Sequence, residues 1–168
     1  MINLEELRIG NIVLFGGQPI EVKEIRTGEV CLDGVLRQAS DNIHFEFNPV
    51  LADSGDIQPF PLNHFLLEQI FGTQRVNGKK LFAYSPKHSL YFIDYDEQRD
   101  VSGSIVYERT GYFIGMYDGP KLIHVTPHYF HSFHEIQNIH NAQFGYKLPI
   151  GIDNVKRAWN LALNLGKV

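Results

Sequence analysis

Histidine is the residue type most concentrated in this 168-residue chain. Five of its eight (His124, His128, His131, His134 and His140) fall within residues 124–140, and Glu135 is the only charged residue among them. Imidazole ligates zinc, iron or nickel, and it exchanges protons near neutral pH. If Pro127 opens a helix running to about Gln143, then His128, His131 and Glu135 come one turn apart. That His/His/carboxylate set is the metal candidate, and general acid–base use of the same segment is its companion. The helical zinc signature H-E-x-x-H is absent, so a second reading stands beside the first: amphipathic side chains on a helix face or in a sheet–helix seam.

Other chemistries lack their parts. Asp94, Asp96, Glu97 and Asp100 form the densest acidic group, but Gln98 and Arg99 stand where a calcium loop needs a ligand and a glycine. A solvated turn after a strand is the expectation there. Neither G-x-G-x-x-G, G-x-x-x-x-G-K-[ST] nor G-x-S-x-G occurs. Cys31 is the only cysteine, which excludes an internal disulfide and a CxxC motif, and its apolar neighbours suit an inert thiol.

The elements that must position these residues are mixed. Asn3-Leu4-Glu5-Glu6 has the form of a capping box for a short helix ending near Gly10. Ile12–Phe15, Ile20–Ile25, Val30–Leu32 and His44–Phe47 read as strands, with turns at Gly16-Gly17, Thr27-Gly28 and Asp33-Gly34. Residues 1–51 are therefore expected to form a meander closed into a small SH3-like β-barrel, and residues 52–60 a linker. In residues 61–168, Pro61-Leu62 opens a helix stopped by Gly72. Aromatic-rich strands follow at Leu81–Tyr84, Leu90–Tyr95, Ile105–Glu108, Tyr112–Met116 and Leu122–Val125. Two C-terminal helices close the chain, the last with Val155, Ala158, Trp159, Ala162 and Leu163 on one stripe. The expected class is α+β.

Charge narrows the partners. The net charge is −4. Residues 1–60 carry four basic side chains against ten acidic ones, and no cationic cluster is denser than Lys79-Lys80. That argues against coating of nucleic acid. The acidic first third reads as a solvated face, or as a surface for a basic protein partner. No apolar run reaches the ~18 residues of a membrane span, so a cytoplasmic protein without membrane contact is expected.

Three stretches resemble, in order, a family of short uncharacterised proteins of Bacteroides-type bacteria, their phages and their mobile elements. They are Glu6-Leu7-Arg8-Ile9-Gly10-Asn11, the segment from Pro61-Leu62 to Phe71-Gly72, and His134-Glu135-Ile136-Gln137-Asn138. The resemblance implies an architecture rather than a reaction, and a place in the host cytoplasm or in a phage particle. It singles out His134, Gln137 and Asn138, which share one face if the segment is helical. Such a face is either a polar binding site or a buried hydrogen-bond network tying the helix to a sheet. The function expected from all this is a non-enzymatic protein-interaction module with no cofactor, acting through a protein partner or self-association. The rivals are a small metal-binding protein or hydrolase using residues 124–140, and single-strand nucleic-acid binding by the sheet aromatics.

Overall fold

The structure, a computed structural model, describes residues 2, 4–26, 29–38, 45–53, 56–84, 91–96, 101–103, 111–118, 121–126 and 128–168. The expected Asn3 cap, the turn at Thr27-Gly28, the acidic turn at 97–100, the strand at 105–108 and Pro127 lie outside these residues. The class is α+β, with two antiparallel sheets and three α-helices among the described residues.

The chain divides into two compact units, and the division is discontinuous. The first unit takes Met1–Pro61 and Ser132–Leu161; the second takes Leu62–His131 and Ala162–Val168. The expected boundaries of 1–51, 52–60 and 61–168 therefore need correction. Residues 52–60 are no linker: they hold the end of one strand and all of another, whose apolar Ile57 is fully buried.

In the first unit, Leu4–Glu6 forms a single 3-10 turn where a longer helix was expected. Five strands follow: β1 (Ile12–Phe15), β2 (Gln18–Arg26), β3 (Glu29–Gln38), β4 (Phe45–Asp53) and β5 (Ile57–Pro59). They pair in the order β4-β3-β2-β1-β5. Gly16 and Gly17 have φ of 56° and 76° and make the tight β1–β2 turn, with Phe15 opposite Gln18. The turn expected at Asp33-Gly34 is instead a bulge inside β3. Leu32 faces Val50 and Val35 faces Asn48, so two residues oppose one. The pairings among described residues make a five-stranded meander whose outer strands are β4 and β5; closure into a barrel is not among them. Ile2, Leu7, Val13, Ile20, Val22, Leu32 and Ile57 form its core, each contributing roughly 1.5–3 kcal/mol by leaving water.

Two helices complete this unit: α2 (Phe133–Phe144), and α3 (Ile152–Asn164) as far as Leu161. Helix α2 starts six residues later than Pro127 suggested, because Ser132 is still extended and bridges to Pro61. Trp159 of α3 packs on Phe60 with centroids 5.2 Å apart, and its Nε1–H donates to Gly17 O at 3.0 Å. The single tryptophan thus anchors the terminal helix, as its place on the apolar stripe implied.

In the second unit, helix α1 (His64–Phe71) is capped by Asn63, whose Oδ1 accepts from Leu66 N at 2.9 Å. The sheet runs β10-β9-β8-β7-β6, from β6 (Thr73–Val76), β7 (Lys79–Ala83), β8 (Tyr91–Asp96), β9 (Gly111–Asp118) and β10 (Lys121–His124). Asn77 and Gly78, with φ of 50° and 80°, join β6 to β7 in a primed turn. Phe82, Tyr84, Phe92, Tyr112 and Phe113 are buried. The described sheet aromatics are mostly core side chains, where a base-stacking surface needs exposed ring faces.

Candidate binding cleft

The chain turns sharply between the 3-10 turn and β1, and residues 8–11 hold that corner by local bonds. Asn11 Oδ1 accepts from Arg8 N at 2.7 Å, and Asn11 N donates to Arg8 O at 3.0 Å. Gly10 N donates to Val22 O at 2.7 Å, while Val22 N returns a bond to Asn11 O at 2.8 Å. Gly10 sits at φ 91°, a backbone state that side chains oppose.

Helix α2 brings two amides onto this corner from more than 120 residues away. Gln137 Oε1 accepts from Ile12 N at 2.8 Å, and its Nε2 donates to Gly10 O at 3.0 Å. Asn138 Oδ1 accepts from Asn11 Nδ2 at 3.1 Å, and its Nδ2 donates to Glu6 O at 2.6 Å. Each amide therefore uses its donor and its acceptor together, clasping residues 6–12 through four bonds. The first and third of the three familiar sequence stretches are the two halves of this clasp. Of the two roles open to Gln137 and Asn138, the geometry is that of the tying network.

His134 is engaged separately. Its Nδ1 lies 2.9 Å from Ser132 Oγ, which in turn donates to Glu135 Oε1 at 2.7 Å. Ser132 has one hydroxyl proton and gives it to the carboxylate, so Nδ1 must carry the proton it shares with Ser132. Nε2 is then a bare lone pair, buried without a hydrogen-bond partner. Burial pushes the His134 pKa below the ordinary 6.5, against a weaker opposite pull from Glu135 and Glu6. A neutral imidazole follows. Ser132, caught between acceptor and donor roles, is not set up as a nucleophile, which would require its own proton to pass to a base.

The metal candidates do not converge. His128 and His131 precede the helix and belong to the second unit, while Glu135 belongs to the first. The imidazole of His131 instead lies against Gly111, where an added Cβ would fall 2.7 Å from its Cε1. No group of three or more His, Cys, Asp or Glu side chains gathers among the described residues. The expectation failed because it counted helical turns through residues that are not helical.

Beside the clasp lies a cleft of about 260 Å³, lined by Arg8, Gly10, Glu21, Asn138, Asn141 and Lys147 together with apolar neighbours that include Ile9 and Leu148. The Lys147 side chain lies across Gly10: a Cβ there would stand 2.7 Å from Nζ and 3.0 Å from Cε. Glu21 is bonded to Lys23 at 3.1 Å. Arg8 and Lys147 make no ion pair among the described residues. A second depression shares Arg8, Asn138 and Asn141 and continues past Ile139 and Ala142. Sequence reasoning did not find Arg8 and Lys147 as a pair. They are 139 positions apart in a chain of negative net charge, and only the clasp brings their segments together.

Compared with family models, curated proteins and solved structures, the chain matches none.

Proposed function

We propose that the chain is a non-enzymatic interaction module, and that its contact site is the cleft beside the clasp. One observation carries this. The side chains with catalytic potential near the site are tied into the fold, while the groups at its rim are not. Gln137 and Asn138 hold backbone, Ser132 is held between His134 and Glu135, and the free nitrogen of His134 is buried. At the rim, Arg8, Asn141 and Lys147 are exposed, and Ile9 keeps 56% of its surface in water. Exposed cations beside an exposed aliphatic side chain, on a backbone fixed by four side-chain bonds, favour docking of another molecule over turnover. The surface proposed here is cationic, in place of the acidic face expected for the first third of the chain.

The test is positional. A photo-crosslinking residue at Asn141 should give a discrete adduct in a lysate of the cell that makes the protein, and one at exposed Asn160 should not. Identical adduct patterns from the two positions would refute the cleft as the contact site.

A further inference from the structure

We infer that the cleft receives an acidic peptide segment of a protein partner, with a carboxylate held between Arg8 and Lys147 and an aliphatic side chain against Ile9. This rests on the reading of the chain as an interaction module and names the chemistry of its partner.

The charge pattern is the first support. Nineteen carboxylates face fifteen Lys and Arg in this chain, so its cations have a surplus of possible partners. Lys23, Lys79 and Lys80 each take one; Arg8 and Lys147 take none among the described residues, as do Arg75, Lys121, Lys156, Arg157 and Lys167, but Arg8 and Lys147 alone of these line one cleft. The only carboxylate lining that cleft among the described residues, Glu21, is engaged by Lys23. Remote negative charge does not cancel the pair, since the screening length is only about 8 Å at physiological salt. A planar guanidinium and a compact ammonium on one cleft suit a carboxylate, the first by paired N–H donors and the second as a point charge.

Space and shape are the second support. Gly10 has no side chain, so Lys147 can lie flat over the corner with its ammonium beside the cleft; any Cβ would push it away. The Asn141 amide is exposed at the same rim. The adjoining depression prolongs the cleft along Ile139 and Ala142, which gives a groove that fits an extended segment better than an isolated anion.

The experiment uses the full chain, isotopically labelled, titrated with acetyl-Gly-Leu-Glu-Leu-Glu-Gly-amide and followed by amide chemical shifts. The expected result is saturable shifts at Gly10, Asn141 and Gly151. Replacing both Glu of the peptide by Gln should weaken binding at least about tenfold, as should the double variant Arg8→Glu with Lys147→Glu. Arg8→Gln with Lys147→Gln supplies a second variant should the charge reversal unfold the chain. Lys156→Glu, on an exposed face of α3, should leave binding unchanged. Equal weakening by Lys156→Glu would mean general surface attraction and would overturn the inference. So would a Gln peptide that binds as well as the Glu peptide. Inorganic phosphate that binds the cleft more tightly than the peptide would overturn it too, in favour of a phosphoryl ligand. A crosslink at Asn141 together with no shifts from the acidic peptide refutes this inference alone and leaves the module reading in place.

Discussion

Truncating Gln137 to Ala removes both bonds by which α2 grips the backbone at residues 10–12. Ile12 is buried, at 2% exposed, and its N–H has Gln137 Oε1 as its partner at 2.8 Å. A buried donor left without a partner costs about 1–3 kcal/mol. Gly10 O also loses its donor, but it borders the open cleft, where water can replace the amide at a loss nearer ~0.5 kcal/mol. The sum is a destabilisation of about 1.5–3.5 kcal/mol. An apolar substitute of similar volume does not rescue it, since the orphaned partners are backbone. Gln137→Glu gives a sharper version. Its carboxylate still accepts from Ile12 N but sets negative charge against Gly10 O. The variant should therefore be least stable at neutral pH and regain stability as acid protonates the carboxyl, which then donates to that carbonyl. Urea unfolding followed by fluorescence measures all of this in the right place, because the only tryptophan, Trp159, is buried in the first unit against Phe60. A loss below about 0.5 kcal/mol for Gln137→Ala, the size of an ordinary surface substitution, would mean that the clasp does not hold the corner.

His134 should make stability fall in acid. Its folded pKa lies below the ordinary 6.5, so the unfolded chain binds the proton first. The contribution is complete above pH 6.5 and is lost as pH falls from there through the folded pKa. His134→Leu should flatten that part of the curve, and an unchanged pH profile of the unfolding free energy would refute the assignment. Gly10→Ala should cost about 1–2 kcal/mol from its left-handed backbone alone, and should also displace the Lys147 ammonium. A melting temperature equal to that of the unsubstituted protein would show that the corner relaxes freely.

Much of the local structure follows from residue order. Gly16-Gly17 set the β1–β2 turn, Gly72 ends α1, and Val155, Ala158, Trp159 and Ala162 lie buried along α3 as their spacing requires, whereas Leu163, expected on the same stripe, is exposed. These features depend on neighbours within a few positions, where φ preference and helical period act directly. Errors arose where a long-range partner decided the outcome. Ile57–Pro59 reads as polar linker because a three-residue strand leaves too short a pattern; pairing with Val13–Phe15 is what makes it β5. Ser132 stays extended because its segment bridges to Pro61, and this displaces the helix start that Pro127 suggested. One miss was legible: Asn77-Gly78 is a strong hairpin signal, and Thr73–Val76 before it forms β6.

Residue order by itself determined the α+β class, the Gly16-Gly17 turn, most of the apolar stripe of α3 and the two polar stretches that became the clasp. Tertiary structure alone decided that those stretches meet, that the segment from His128 to His131 is not part of helix α2, and that Arg8 and Lys147 share one cleft. The reason is physical. A helix or a turn is specified by interactions a few residues long, whereas a site is specified by which backbone groups are left unpaired after folding and which distant side chain satisfies them.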